Sequence, residues 1–270
     1  MSIVLVTGGT GTLGREVVAR LAGKHRTRVL SRQAAPALPD HVEVITGDLM
    51  SRPVVHEALA GVDAIIHCAS APQDSQHVDI DGTRNLLEAA RANGAPHIIY
   101  PSIVGVDRST YPYYQAKYAV EELIERGGLP WTIVRITQFH DLVLRIIQSF
   151  GADTLPVVPV VAGMRFQSID VGEAADRLVE LVEAGPAGRA SDMGGPRIQS
   201  IEEMTAAYLR VRGRQASVRS EAGDQAMTEG RFAVFRSGIN LIPEHAVGTI
   251  SWEAFLQRRY GHAKESNDIE

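Results

Sequence analysis

The sequence contains one cysteine, Cys68, so no disulfide can close within the chain. That excludes a disulfide-stapled extracellular scaffold and fits a reducing cytoplasm. Cys68 also ends the apolar run Ala64–His67, so it reads as a small buried side chain rather than a nucleophile. His, Cys, Asp and Glu nowhere fall at metal-ligand spacing, and no metal is expected. Positive charge is not in excess: 27 Lys and Arg face 32 Asp and Glu, giving a net charge of −5. With no extended cationic face, a nucleic-acid partner is not expected. Long apolar runs are missing too. Leu142–Ile147 and Leu155–Ala162 are far shorter than a bilayer span, and the second holds two prolines. The chain opens on an apolar strand rather than a charged-then-apolar signal, so a cytoplasmic protein without a membrane partner is expected.

Glycine, by contrast, is concentrated at the start. The apolar run Ile3–Val6 leads into Gly8, Gly9, Gly11 and Gly14. Leu13, Val17, Val18 and Leu21 then recur at helical spacing up to Gly23, and Thr27–Ser31 reads as a second strand. Gly9, Gly11 and Gly14 fit GxGxxG, while Gly8, Gly11 and Gly14 fit the looser GxxGxxG. Both registers do one job. Glycine lets the backbone turn tightly and approach a pyrophosphate, whose charge rests on the first N–H groups of the helix. A bound dinucleotide is therefore preferred to a turn that merely joins strand to helix.

Further strands at Val42–Thr46, Ala64–Cys68, Ile98–Tyr100 and Trp131–Ile136 alternate with helices at Pro53–Ala60, Asp79–Asn93 and Tyr111–Arg126. That alternation predicts parallel pairing through right-handed crossovers, hence an α/β fold with a doubly wound sheet. Past Ile136 the pattern loosens. Residues 138–151 could be helical, and the proline-broken Leu155–Val161 suits an edge strand or extended loop. Helices are predicted at Asp170–Glu183, Ile201–Val211 and Ser251–Tyr260. This gives a nucleotide-binding core over residues 1–136 and a smaller, mostly substrate lobe over 137–270, with helix 170–183 able to pack back on the core. His262–Glu270 reads as a polar disordered tail.

The ribose 2′-hydroxyl of NAD is held by an acid about 20 residues beyond the glycines. Here there is none: after Glu16 the next acid is Asp40, and Ser31-Arg32 stands at the strand end instead. A guanidinium there can pair with a 2′-phosphate and stack on adenine, although a solvated surface arginine is the bland alternative. NADP, as NADPH, is favoured over NADH. Asp48, ending the third strand, suits either the adenine amino group or a turn.

Tyr113 and Lys117 lie four apart in a predicted helix and share one side of it. A tyrosine can protonate a carbonyl oxygen while hydride arrives at carbon, and a neighbouring ammonium would lower its high pKa. Ser102, just past the fifth strand, could orient such a carbonyl. Tyr111 and Tyr114 flank the assignment, and an ordinary helix N-terminus would look the same. His140, in Thr137-Gln138-Phe139-His140, is an alternative acid–base group, or simply a structural histidine.

Taken together, Thr7-Gly8-Gly9-Thr10-Gly11-Thr12-Leu13-Gly14, Gly47-Asp48-Leu49 and Tyr113-x-x-x-Lys117 resemble the short-chain dehydrogenase/reductase superfamily. Trp131–Arg135, Ile169–Val171 and Trp252–Leu256 resemble its atypical NmrA-like NAD(P)H-binding branch. The resemblance implies an extended Rossmann fold with a substrate cleft roofed by the C-terminal lobe. By motif, Gly8, Thr10, Gly11, Thr12, Leu13, Gly14, Arg32, Asp48 and Leu49 carry over as cofactor residues. Ala69 and Ser70 follow the fourth strand, where small residues let the cofactor approach. Ser102, Tyr113 and Lys117 carry over as a catalytic triad, Lys117 also bonding the nicotinamide ribose. Ser102 departs from the pattern by following Pro101 rather than another serine. The implied activity is hydride transfer from NADPH to a small carbonyl, quinone or conjugated acceptor, by a monomer or homodimer. The branch also contains non-catalytic NADP(H)-binding redox sensors, and that alternative stays open. A tightly held NAD of the epimerase or dehydratase type is disfavoured by the missing acid.

Overall fold

The computed structural model describes residues 1–222 and 230–261, so the tail expected over His262–Glu270 lies outside the described residues. The chain forms two compact units. One comprises Met1–Ile136 and Val171–Ser191; the other comprises Thr137–Asp170 and the chain from Asp192 onward.

The first unit is built on β1 (Ile3–Thr7), α1 (Thr12–Leu21), β2 (Arg26–Ser31), β3 (Glu43–Thr46), α2 (Arg52–Leu59) and β4 (Ala64–His67). A π-helical turn (Gln76–Asp81) then runs into α3 (Gly82–Ala92), followed by β5 (His97–Ile103), α4 (Pro112–Glu125) and β6 (Trp131–Ile136). After α5 (His140–Ser149), β7 (Val157–Val161) and β8 (Arg165–Phe166), all in the second unit, the chain re-enters the first with α6 (Val171–Ala184) and β9 (Gly188–Arg189). The seven strands follow the order β3-β2-β1-β4-β5-β6-β9. Every pairing is parallel. Val4, Leu5, Val6, Ile65, Ile66 and Ile98 are fully buried because helices cover both faces, which is why these strands read as unbroken apolar runs. Each such side chain contributes about 2 kcal/mol on leaving water.

β1 pairs with β2 on one side and β4 on the other, so the strand order reverses there. Ligands of doubly wound sheets bind at that switch point, beyond the carboxyl ends of the strands. α6 packs on α1, and Arg20 of α1 reaches Asp176 at 2.6 Å.

β5 is longer than the predicted Ile98–Tyr100 and takes in Pro101 and Ser102. The proline is tolerated for a reason visible in the ladder. Ile98 N–H donates toward β6, to Pro130. N–H groups alternate in side, so position 101 faces β4, whose pairing with β5 already ends at Ile66–Ile99. No ladder bond is lost.

In the second unit β7 pairs in parallel with β11 (Ser217–Glu221), and β8 pairs antiparallel with β10 (Gln199–Ser200). α7 (Ile201–Val211) starts with a capping box of Ser200 and Glu203. α8 (Arg231–Ser237) and α9 (Trp252–Tyr260) complete it, the buried Trp252 donating its indole N–H to Met204 at 2.9 Å.

Candidate cofactor and active site

The turn after β1 leaves little room for any residue but glycine. Gly8 has φ of +67°, and a Cβ there would stand 2.7 Å from the Ala69 backbone. A Cβ on Gly14 would meet the Gly8 carbonyl oxygen at 2.1 Å. Gly11 is the N-cap of α1 and no side chain caps that helix. The first-turn amides of Thr12, Leu13 and Gly14 are thus left for an anion.

Beside this turn lies a cleft of about 270 Å³. Gly8, Thr10 and Gly11 line it from the turn; Arg32, Asp48 and Leu49 line it from the ends of β2 and β3. Ala69 and Ser70 close it from the loop after β4. Eight sequence-predicted cofactor residues therefore meet at one place. Thr12, Leu13 and Gly14 lie in the helix turn beside it, and Lys117, Tyr113 and Ser102 are not among its lining. The glycine turn, the uncapped helix and the neighbouring backbone fit a dinucleotide pyrophosphate. A larger hollow of about 520 Å³ lies against α3 and α4, including Arg84, Leu87 and Leu123, away from the strand ends.

Arg32 is exposed at the cleft and has no ion pair among the described residues. Asp48 serves the turn, its Oδ1 accepting from Met50 N–H at 2.8 Å, and also lines the cleft. Burial pushes the Cys68 thiol up to about 12, which keeps it protonated and poorly nucleophilic.

Lys117 is only 5% exposed. Its ammonium donates to the Pro101 carbonyl at 3.2 Å and lies 4.1 Å from the Tyr100 ring centroid. That carbonyl is free because β5 has run past the end of β4. Burial lowers the Lys117 pKa, opposed by Asp79, Cys68 and Glu121.

The Tyr113 hydroxyl lies 2.9 Å from Ser70 Oγ, which donates to Asp79 Oδ1 at 2.7 Å. Burial, with the Asp79 carboxylate and Tyr111, pushes the phenol up to about 12, and a hydrogen bond donated by Ser70 would pull the other way. This corrects the expectation that a neighbouring ammonium lowers it: Lys117 is turned to the Tyr100 ring, and the charge acting on Tyr113 is a carboxylate.

Ser102 is buried inside β5, and its hydroxyl has no hydrogen-bond partner among the described residues. Although burial opposes ionisation, hydrogen bonds from Arg135 and Arg189 hold Glu121 of α4 below the usual carboxylate range. Arg135 grips Glu121 at 3.0 and 2.8 Å, and Arg189 reaches it at 2.6 Å. The cluster ties α4 to β6 and β9. Tyr113 thus joins Ser70 rather than Ser102.

Two residues here were not legible beforehand. His67 is 1% exposed, with Nδ1 2.7 Å from Thr7 Oγ1 and Nε2 2.9 Å from Thr83 Oγ1. Thr83 spends its proton on the Asp79 carbonyl, so Nε2 carries the hydrogen. Burial, with Lys117, pushes His67 down to about 3. Asp79 read as the first residue of a helix, where an acid is ordinary.

In the second unit His140 is 1% exposed, its Nδ1 2.8 Å from Ser168 Oγ and its Nε2 3.0 Å from the Ile250 carbonyl. Both nitrogens are engaged and the ring packs near Trp252 and Phe255, a structural setting. Among the described residues no group of three or more His, Cys, Asp and Glu could hold a metal, and no helix is long and apolar enough to cross a membrane.

A seven-stranded parallel sheet with a glycine cradle at its switch point defines a Rossmann dinucleotide-binding protein. Residues 8–145 match the NAD(P)H-binding family, and the chain belongs to it. An uncharacterized protein of Mycobacterium tuberculosis is 29% identical over 196 residues, which are 70% of this chain but 21% of that protein. The chain thus spans only a small part of that mycobacterial relative. The (4-alkanoyl-5-oxo-2,5-dihydrofuran-3-yl)methyl phosphate reductase of Streptomyces griseus is 29% identical over 232 residues, covering 84% of this chain and 79% of that one. In structure, the chain is similar to the NADPH-dependent quinone oxidoreductase of Escherichia coli solved with NADPH. The TM-score is 0.80 at 17% identity, over 95% of this chain and 99% of that chain, a likeness of fold.

Proposed function

We propose that the protein is an NADPH-dependent oxidoreductase that passes hydride to a quinone, conjugated carbonyl or similar small acceptor, as a cytoplasmic monomer or homodimer. The observation that carries this is the cleft itself, where an uncapped helix N-terminus meets an exposed Arg32 and no acid stands at the end of β2. When bound, the nicotinamide supplies the hydride. Thr12 and Leu13 amides would balance pyrophosphate charge, Gly8 would admit it, and Arg32 would pair with a 2′-phosphate. Asp48 keeps one carboxylate oxygen for the adenine amino group. Lys117, buried beneath the strand ends, carries the positive charge assigned to the nicotinamide ribose.

Tyr113 is the proton donor in this reading. A phenol at about 12 is a weak acid, so acceptors that take hydride before a proton are favoured over simple ketones. The Streptomyces reductase, and the Escherichia quinone oxidoreductase that shares the fold, support the same class. NADPH oxidation followed against quinones, enones, aldehydes and ketones tests it, with quinones and enones expected to turn over first. A second reading, a non-catalytic NADP(H) sensor, draws support from the engagement of Tyr113 by Ser70 and the burial of Ser102 inside β5. Tight NADPH binding with no turnover on any acceptor would decide for the sensor.

A further inference from the structure

The π-helical turn ahead of α3 places an acid where an ordinary helix would not. Gly82 N–H reaches the His77 carbonyl five residues back, and the widened turn carries Asp79 inward to 1% exposure. Its carboxylate is met by two donors, Ser70 Oγ at 2.7 Å and Ala71 N–H at 2.9 Å. Ser70 has a single hydroxyl proton, and a carboxylate can only accept, so that proton belongs to Asp79. The 2.9 Å contact between Ser70 and Tyr113 must then be donated by the phenol.

We infer that Asp79 is a positioning residue for Tyr113: acting through Ser70, it sets the direction of the phenolic proton and keeps the phenol protonated. This rests on the reading of Tyr113 as a proton donor. Ionising the phenol would call for Ser70 to turn its proton away from Asp79, leaving one oxygen of a buried carboxylate without its donor. The hydroxyl therefore approaches an acceptor neutral, with its lone pairs and not its proton foremost, until the proton is released from Ser70. The titratable groups that face the Tyr113 hydroxyl are Asp79 from the π-helical turn and Tyr111 from the start of α4, with the Tyr114 ring beside it. Lys117, one turn along α4, is directed at Tyr100.

The test uses the full chain with tyrosine isotopically labelled at the phenolic ring carbon, titrated by NMR, and the Tyr113 signal identified by its loss in Tyr113→Phe. In Asp79→Asn the Tyr113 midpoint is expected to fall by about one pH unit. In Ser70→Ala it also falls, and adding Asp79→Asn to that variant moves it much less than in the native background. An unmoved midpoint in Asp79→Asn overturns the inference. So does an equal shift in both backgrounds, which would mean that Asp79 acts without Ser70. If Asp79→Asn does not fold, Ser70→Ala decides alone: a rise would show Ser70 donating to the phenol and overturn the assignment. With an acceptor in hand, the pH profile of kcat should move with the Tyr113 midpoint in Asp79→Asn, and an unmoved profile overturns the catalytic part. Failure to find any acceptor counts against the oxidoreductase reading, while the titration still reads the link from Asp79 to Tyr113.

Discussion

The Lys117 ammonium lies 4.1 Å from the centroid of the Tyr100 ring, deep in the first unit, with one hydrogen bond to the Pro101 carbonyl. A cation held this way is stabilised by the ring quadrupole but has lost most of its hydration. Its pKa is lowered by burial, so the unfolded chain binds more protons than the folded one just below the ordinary lysine value of 10.5. Stability contributed by this group therefore rises as pH climbs toward 10.5 and is lowest at neutral pH. Lys117→Met should raise stability at pH 7 by about 1 kcal/mol. It should at the same time weaken NADPH binding. Thermal unfolding and calorimetric titration of one sample check both signs.

His67 bears on acid stability. Its folded pKa is pushed down to about 3 against 6.5 in the unfolded chain, so only the unfolded chain takes up the proton between those values. Stability is therefore lost as pH falls from 6.5 toward 3. Denaturant midpoints across that window should fall less steeply in His67→Gln than in the native protein.

Arg32 is expected to decide between dinucleotides. Arg32→Ala should weaken NADPH binding by about tenfold to a hundredfold, the worth of charge-assisted hydrogen bonds to a phosphate. NADH binding should be unchanged. Equal affinities for the two cofactors in the native protein would remove the preference.

The glycines divide into two kinds. A Cβ on Gly14 would strike the Gly8 carbonyl oxygen at 2.1 Å, so Gly14→Ala should unfold at a markedly lower temperature. A Cβ on Gly11 finds only that same oxygen, at 3.3 Å. Gly11→Ala should melt close to the native protein and lose NADPH affinity, because its methyl stands where the pyrophosphate would approach.

Much of the first unit was legible because its signals are local. β1, α1, β2, α2, β4 and β6 were readable from apolar runs, helical spacing and glycine stops, since those residues serve buried strands and the turns between them. The same reading ended β5 at Tyr100, and the next residue, Pro101, is ordinarily a strand breaker. It stops being one only where β4 has ended, a fact held in a different part of the chain. β8, β9, β10 and β11 escaped for a related reason: the first three are two residues long, and β11 is exposed enough to carry no apolar pattern.

The site divides along the same line. The sequence alone determined the strand, glycine turn and helix and the missing acid before Arg32, because each depends on residues within about one supersecondary unit. Tertiary structure decided what the chemistry-bearing side chains touch. Tyr113 meets Ser70 across 43 positions, Lys117 meets Pro101 across 16, and Glu121 gathers Arg189 across 68. Such partners are chosen by which strand ends and helix faces the fold brings together, and burial then sets how tightly each proton is held.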